Sequence, residues 1–137
     1  MIARSGVLVD TNVILDLLTG DARWEAWSAR ALADAGDYAS LVINPIIYAE
    51  LSGSFGSSAE LETYVDSSSF WREDLPWESA YLAGRAYVDY RRRGGDRRSP
   101  MPDFYIGAHA AVRGYPLLTR DPTLYRAYFP AVHLITP

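Results

Sequence analysis

The chain has 137 residues, 49% of them hydrophobic and 13% aromatic, which suits one folded domain with a real core rather than a disordered or repeat sequence. It has no cysteine, and all 13 basic residues are arginine, so disulfides, thiolate metal sites, cysteine nucleophiles, a phosphate-gripping Walker lysine and Schiff-base chemistry are excluded. No apolar run approaches the ~20 residues that span a membrane. The start, MIARSGVLVD, lacks the apolar stretch and cleavage site of a signal peptide, so the expected location is the cytoplasm, away from membranes.

Residues 6 to 10, GVLVD, form a short unbroken apolar run ending in an acid, the pattern of a buried parallel strand that delivers a side chain at its carboxyl end. TNVILDLLTG follows with helical spacing and stops at Gly20. From Asp21 to about Ala35, Trp24, Trp27, Ala31 and Leu32 recur at helical steps, and Gly36 is expected to end that helix. ASLVI (39 to 43) reads as a second strand, and Asn44 before Pro45 as an N-cap and first-turn proline opening a helix through IIYAELS. SSAELETYVD predicts a short capped helix and SFWREDLP a third strand. In WESAYLAGRAYVDYRRR, Glu78, Arg85, Asp89 and Arg92 share one helical face. GGDRRSPMP reads as a loop. Pro102 then opens the helix DFYIGAHAAVR, with Phe104, Ala108, Ala111 and Val112 as its inner stripe and Gly114 as its end. PLLT, a short helical piece in RDPTLYRAYF and AVHLIT complete an alternation that predicts a three-layer α/β/α domain with a single parallel sheet.

Three acids fall where such a sheet puts its functional groups: Asp10 ends the first strand, Asp121 follows the fourth, and Asp103 opens the helix before it. Glu50 lies within the helix after the second strand, flanked by Ile46, Ile47, Ala49 and Leu51, where an unpaired carboxylate is costly and a cation is expected. Each acid taken singly has a structural alternative. Asp10 could cap a helix, Asp103 could serve a helix dipole, and Asp121 before Pro122 could be a turn residue. Together they make an oxygen-only donor set that suits Mg²⁺ or Mn²⁺ and, through it, a substrate phosphate. Net charge is −4, against the basic surface usual for a nucleic-acid protein, but without these four acids the chain would be neutral.

The succession LVDTNVILD, NPIIYAELS, MPDFYIGAHA and LLTRD resembles the PIN-domain nucleases, and within them the VapC toxins of bacterial toxin–antitoxin pairs. The resemblance spans nearly the whole chain. It implies a five-stranded sheet and puts Asp10, Glu50, Asp103 and Asp121 in the four acidic, metal-binding positions, with Asp10 and Asp103 foremost as direct ligands. Thr11, Asn12 and Thr119 match polar positions that orient carboxylates. It further implies a Mg²⁺-dependent endoribonuclease acting on single-stranded or looped RNA, a cognate antitoxin, a homodimer, and a heterotetramer or larger complex with that antitoxin. The arginine-rich loop before Asp103 is longer and more polar than the family pattern. Arg91, Arg92, Arg93, Arg97 and Arg98 make a positive patch near the acids, with Arg93, Arg97, Arg98 and Arg120 as candidate RNA contacts.

Other readings fit less well. A phosphatase of the haloacid-dehalogenase kind needs an acid two positions after Asp10, where Asn12 stands, and a lysine. A flap nuclease is normally much longer. A housekeeping RNA-processing nuclease, or a PIN domain that binds without cutting, remains an alternative. His109, six residues past Asp103, falls on another helical face and is expected at the surface, and His133 is expected to be structural. Trp24 and Trp27, three apart, offer an apolar groove for a partner helix unless the core takes them.

Overall fold

The computed structural model describes residues 5–95 and 101–137. Arg97 and Arg98 lie outside the described residues. The elements are β1 (Gly6–Val9), α1 (Thr11–Thr19), α2 (Glu25–Tyr38), β2 (Ser40–Ile43), α3 (Pro45–Leu51), a 3-10 turn (Ser52–Ser54), α4 (Ser58–Ser67), β3 (Trp71–Arg72), α5 (Trp77–Arg92), α6 (Met101–Arg113), β4 (Leu117–Leu118), α7 (Thr123–Tyr128) and β5 (Leu134–Ile135). All five strands are parallel, in the order β3-β2-β1-β4-β5. Successive residues of β1 point to opposite faces, yet all four are buried, so helices cover the sheet on both sides. No helix among the described residues is long and apolar enough to cross a membrane.

The strand order fixes where a site can form. From central β1 the chain builds outward through β2 and β3, then returns to the other side of β1 for β4 and β5. The direction of winding therefore reverses between β1 and β4, and the crevice beyond their carboxyl ends is where open α/β sheets bind ligands. Two backbone bonds pin this seam, Leu8 N–H to Pro116 O and Asp10 N–H to Leu118 O, both at 2.9 Å.

Local signals account for several helix ends. The Asn44 side chain accepts the Ile47 N–H at 3.0 Å with Pro45 in the first turn, and Ser57 accepts from Glu60 N–H. Gly20 ends α1 at φ +62°, a left-handed conformation that glycine adopts without strain. Gly36 does not end α2 as expected. The helix continues to Tyr38 because a mid-helix glycine costs only ~1 kcal/mol against alanine, while Ala35 and Ala39 on either side are buried in the core.

Helix α6 departs most from its predicted stripe. Phe104 and Ala108 are buried and Ala111 and Val112 half-buried, but Ile106, Gly107, His109 and Ala110 are buried too. His109 is thus an interior residue, not a surface one. Its Nδ1 is 3.0 Å from Asn44 Nδ2, and its Nε2 lies 3.7 Å from Glu73 Oε1. Burial holds its pKa below the usual histidine value, so the ring is neutral at pH 7. His133 is exposed just before β5, and its backbone carbonyl accepts from Leu117 N–H. At Gly107 the approach is so close that a Cβ would meet the Phe129 ring at 2.5 Å.

Candidate active site

Asp10 follows β1 directly, so the pairing of β1 with β4 carries its side chain to the crevice. It occupies the N-cap position of α1 without making a side-chain cap bond, which removes the capping explanation for it. The carboxylate instead turns inward, where it is only 4% exposed. Oδ2 accepts from Thr119 Oγ1 at 2.9 Å, Tyr125 Oη at 2.9 Å and Asn12 Nδ2 at 3.4 Å. Burial raises its pKa, the bonds from Tyr125 and Thr119 oppose that, and the nearby charge of Glu50 adds to it.

The polar residues named from sequence knit this corner together. Thr119, fully buried beyond β4, accepts from the Asp121 N–H at 3.1 Å and from Asn12 Nδ2 at 3.3 Å. Asn12 Oδ1 in turn accepts the Arg120 N–H at 3.4 Å. Thr11 Oγ1 donates to Glu50 Oε1 at 2.6 Å, fixing the one acid that arrives from α3.

Glu50 itself is exposed, contrary to what its apolar neighbours suggested. Helix α3 turns Ile47 and Leu51 into the core and leaves Glu50 at the rim. Asp121 is also exposed, whereas Asp103, in the first turn of α6, is half-buried. Burial, then the charges of Asp10, Glu50 and Asp121, push Asp103 up to about 7. These acids repel one another across the crevice. Among the described residues, however, no three acid or imidazole groups stand together as a ready-made coordination shell.

The donor chemistry nevertheless fits a hard cation. Mg²⁺ is commonly held by one or two carboxylates with water completing its octahedron, so Asp10 and Asp103 would suffice to hold it and a closed protein cage is not required. A carboxyl pushed up to about 7 by burial and then by its acidic neighbours is one whose charge a bound cation would stabilise.

Two arginines named as RNA contacts have protein partners. Arg120 Nε bonds Asp16 Oδ2 at 2.8 Å, and its guanidinium lies 5.5 Å from the Trp24 ring centre. Asp16 is buried and also accepts from Ser28 Oγ at 2.7 Å. Arg93 pairs with Asp89 at 3.0 Å and covers Tyr128 at 5.5 Å. The sequence reading missed Asp16 and Tyr125. A polar residue in the apolar stretch of α1 was the available signal for Asp16. Tyr125 reads as part of an apolar helical stripe, and nothing local marks its hydroxyl.

The model of the PIN domain family matches residues 7–130. The chain belongs to the PIN domain family. Its fold is similar to a chain of the VapBC2 complex of Rickettsia felis bound to a promoter DNA fragment, at TM-score 0.73 and 15% identity, covering 96% of this chain and 98% of that one. For VapBC-1 of nontypeable Haemophilus influenzae the values are 0.72 and 18%, with 96% and 97% covered. For a toxin–antitoxin complex of Klebsiella pneumoniae they are 0.64 and 24%, with 96% and 97% covered. Curated proteins gave no match.

Proposed function

We propose that this PIN domain is a Mg²⁺- or Mn²⁺-dependent endoribonuclease and the toxin of a toxin–antitoxin pair. The observation that carries the nuclease reading is Asp103, forced up to about 7 by burial and by three other acids at the sheet's switch point. Asp10 and Asp103 would hold the cation directly, with Glu50 and Asp121 reaching it through water. When bound, the cation supplies positive charge against the reacting phosphate and lowers the pKa of the attacking water.

The chain's own groups do the rest. Thr119 and Asn12 hold the Asp10 carboxylate in one orientation, and Thr11 does the same for Glu50. Thr119 also ties the backbone of Asp121 to the pocket. The Asp16–Arg120 pair anchors the segment between Thr119 and Asp121 to α1. Phosphate contact falls to Arg97, Arg98 and any reach left to Arg93 and Arg120, with single-stranded RNA as substrate.

The partner reading draws on the solved relatives, which are themselves toxin–antitoxin complexes, and on one surface. Trp24 and Trp27 are half-buried and meet edge to face at 6.5 Å. Beside them α2 and β5 form a cleft of about 200 Å³ lined by Trp27, Arg30, Ala31, Asp34, Tyr38 and Ile135. An amphipathic antitoxin helix fits such a groove, and an arginine on its tail could enter the acid pocket in place of the cation. We place the toxin in the cytoplasm as a homodimer. The antitoxin complex is then a heterotetramer or larger.

The test is cleavage of single-stranded RNA by purified protein, expected with Mg²⁺ or Mn²⁺ and absent with EDTA. Co-expression with the small protein encoded next to it should restore growth and give an inactive complex. A chain active on RNA, yet harmless in its host and unbound by any neighbour, would instead be a processing nuclease.

A further inference from the structure

Tyr125 is among the largest fully buried side chains, and the chemistry above makes no use of it. It stands on α7, and its phenol meets an acid 115 positions away in sequence. Its hydroxyl donates to Asp10 Oδ2 at 2.9 Å, the oxygen that also receives Thr119 Oγ1 and Asn12 Nδ2. Among the described residues, no side chain donates to Asp10 Oδ1. The same hydroxyl also counters the rise in the Asp103 pKa, so one buried group acts on both acids assigned as direct ligands.

We propose that Tyr125 is a positioning residue that presents Asp10 to the cation through Oδ1 alone. The proposal rests on the metal-dependent reading above. A carboxylate with both oxygens free can swing, or close on the ion with both at once, and the narrow bite of that second mode suits the strict octahedron of Mg²⁺ poorly. Donors gathered on one oxygen limit both freedoms and leave the other without a side-chain donor. A phenol performs this task well because at neutral pH it always has a proton to give, and its rigid ring, packed in the core, keeps the hydroxyl in place. Phenylalanine at 125 would keep the packing and lose only the donor.

The experiment is a calorimetric Mn²⁺ titration of the whole chain as wild type, Tyr125→Phe, Thr119→Val and Asp10→Asn, with thermal unfolding in the presence and absence of Mn²⁺. Tyr125→Phe is expected to weaken Mn²⁺ binding about tenfold, within the range seen when groups behind a metal ligand are removed, and to shrink the rise in Tm that Mn²⁺ produces. A purely structural hydroxyl would lower the metal-free Tm and leave Mn²⁺ affinity unchanged, which overturns the proposal. Thr119→Val takes a second donor from the same oxygen and must weaken Mn²⁺ to a similar degree, so the idea stays testable should Tyr125→Phe fold poorly. The controls separate two kinds of failure. If wild type binds no Mn²⁺, or Asp10→Asn binds it as well as wild type, the metal reading falls and the positioning role with it. If Asp10→Asn is defective while Tyr125→Phe matches wild type, only the role of Tyr125 falls.

Discussion

Glu73 and Asp103 are both half-buried carboxylates, and the protein treats them in opposite ways. Glu73, just past β3, accepts from Arg113 Nε at 2.8 Å and Tyr115 Oη at 2.5 Å, with His109 beyond. Burial works against its charge, but these donors prevail and hold its pKa below the usual range. For Asp103 burial is reinforced by the charges of Asp10, Glu50 and Asp121, and its carboxyl is pushed up to about 7. Glu73 is neutralised by protein groups that tie it into the fold, whereas Asp103 has burial and three acids set against its charge, a condition that a bound cation would relieve.

The largest effect that sharpens this contrast is on catalysis. Asp10→Asn and Asp103→Asn should each cut RNA cleavage at least about a thousandfold, roughly 4 kcal/mol of barrier, because an amide is a poor ligand for a hard cation. Circular dichroism should find both variants folded, and full activity in either would break the assignment. Glu73→Ala should do the reverse. It removes the acceptor of the half-buried Tyr115 hydroxyl, costing roughly 1–2 kcal/mol in chemical denaturation, while Mn²⁺ affinity stays within about twofold of wild type.

A pH series separates the two acids further. In the metal-free protein Asp103 titrates near 7 rather than 3.8, so between those values the folded state keeps a proton that the unfolded chain has released. Stability therefore declines as pH rises from about 4 to about 7, by about 2 kcal/mol once solvent screening is allowed for. Asp103→Asn should flatten that slope, and saturating Mg²⁺ should oppose it. Glu73 has the opposite sign. Its lowered pKa gives stability that is present above the unfolded value and lost on acidification below it. The smallest effect concerns the arginine-rich segment: replacing Arg97 and Arg98 by Ala should flatten the salt dependence of RNA binding by roughly 0.7 in log–log slope per lost phosphate contact, with Mn²⁺ affinity unmoved.

What could be read from the sequence was what lies close together in it. GVLVD gives a buried strand and its terminal acid within five residues, and Asn44 with Pro45 announces a helix start on the spot. Asp10, Asp103 and Asp121 could be named as candidates because each sits beside a strand end or a helix start. His109 was misplaced because helical periodicity assumes one wet face, and α6 is buried nearly all round. Glu50 was judged by its neighbours in sequence, although a helix sends adjacent residues about 100° apart, and Glu50 faces outward where Ile47 and Leu51 face in. Tyr125 had no local signal, since its partner is 115 positions away.

That distance bears on how the protein is made. Asp10 meets Thr119 across 109 positions, and β1 is hydrogen-bonded to β4 at the same remove. A parallel pairing so far apart in sequence closes late and slowly. During synthesis β1, α1 and α2 leave the ribosome early, but the crevice has only one wall until β4 and α7 have followed. A nascent chain therefore carries Asp10 long before the Thr119 and Tyr125 hydroxyls that orient it.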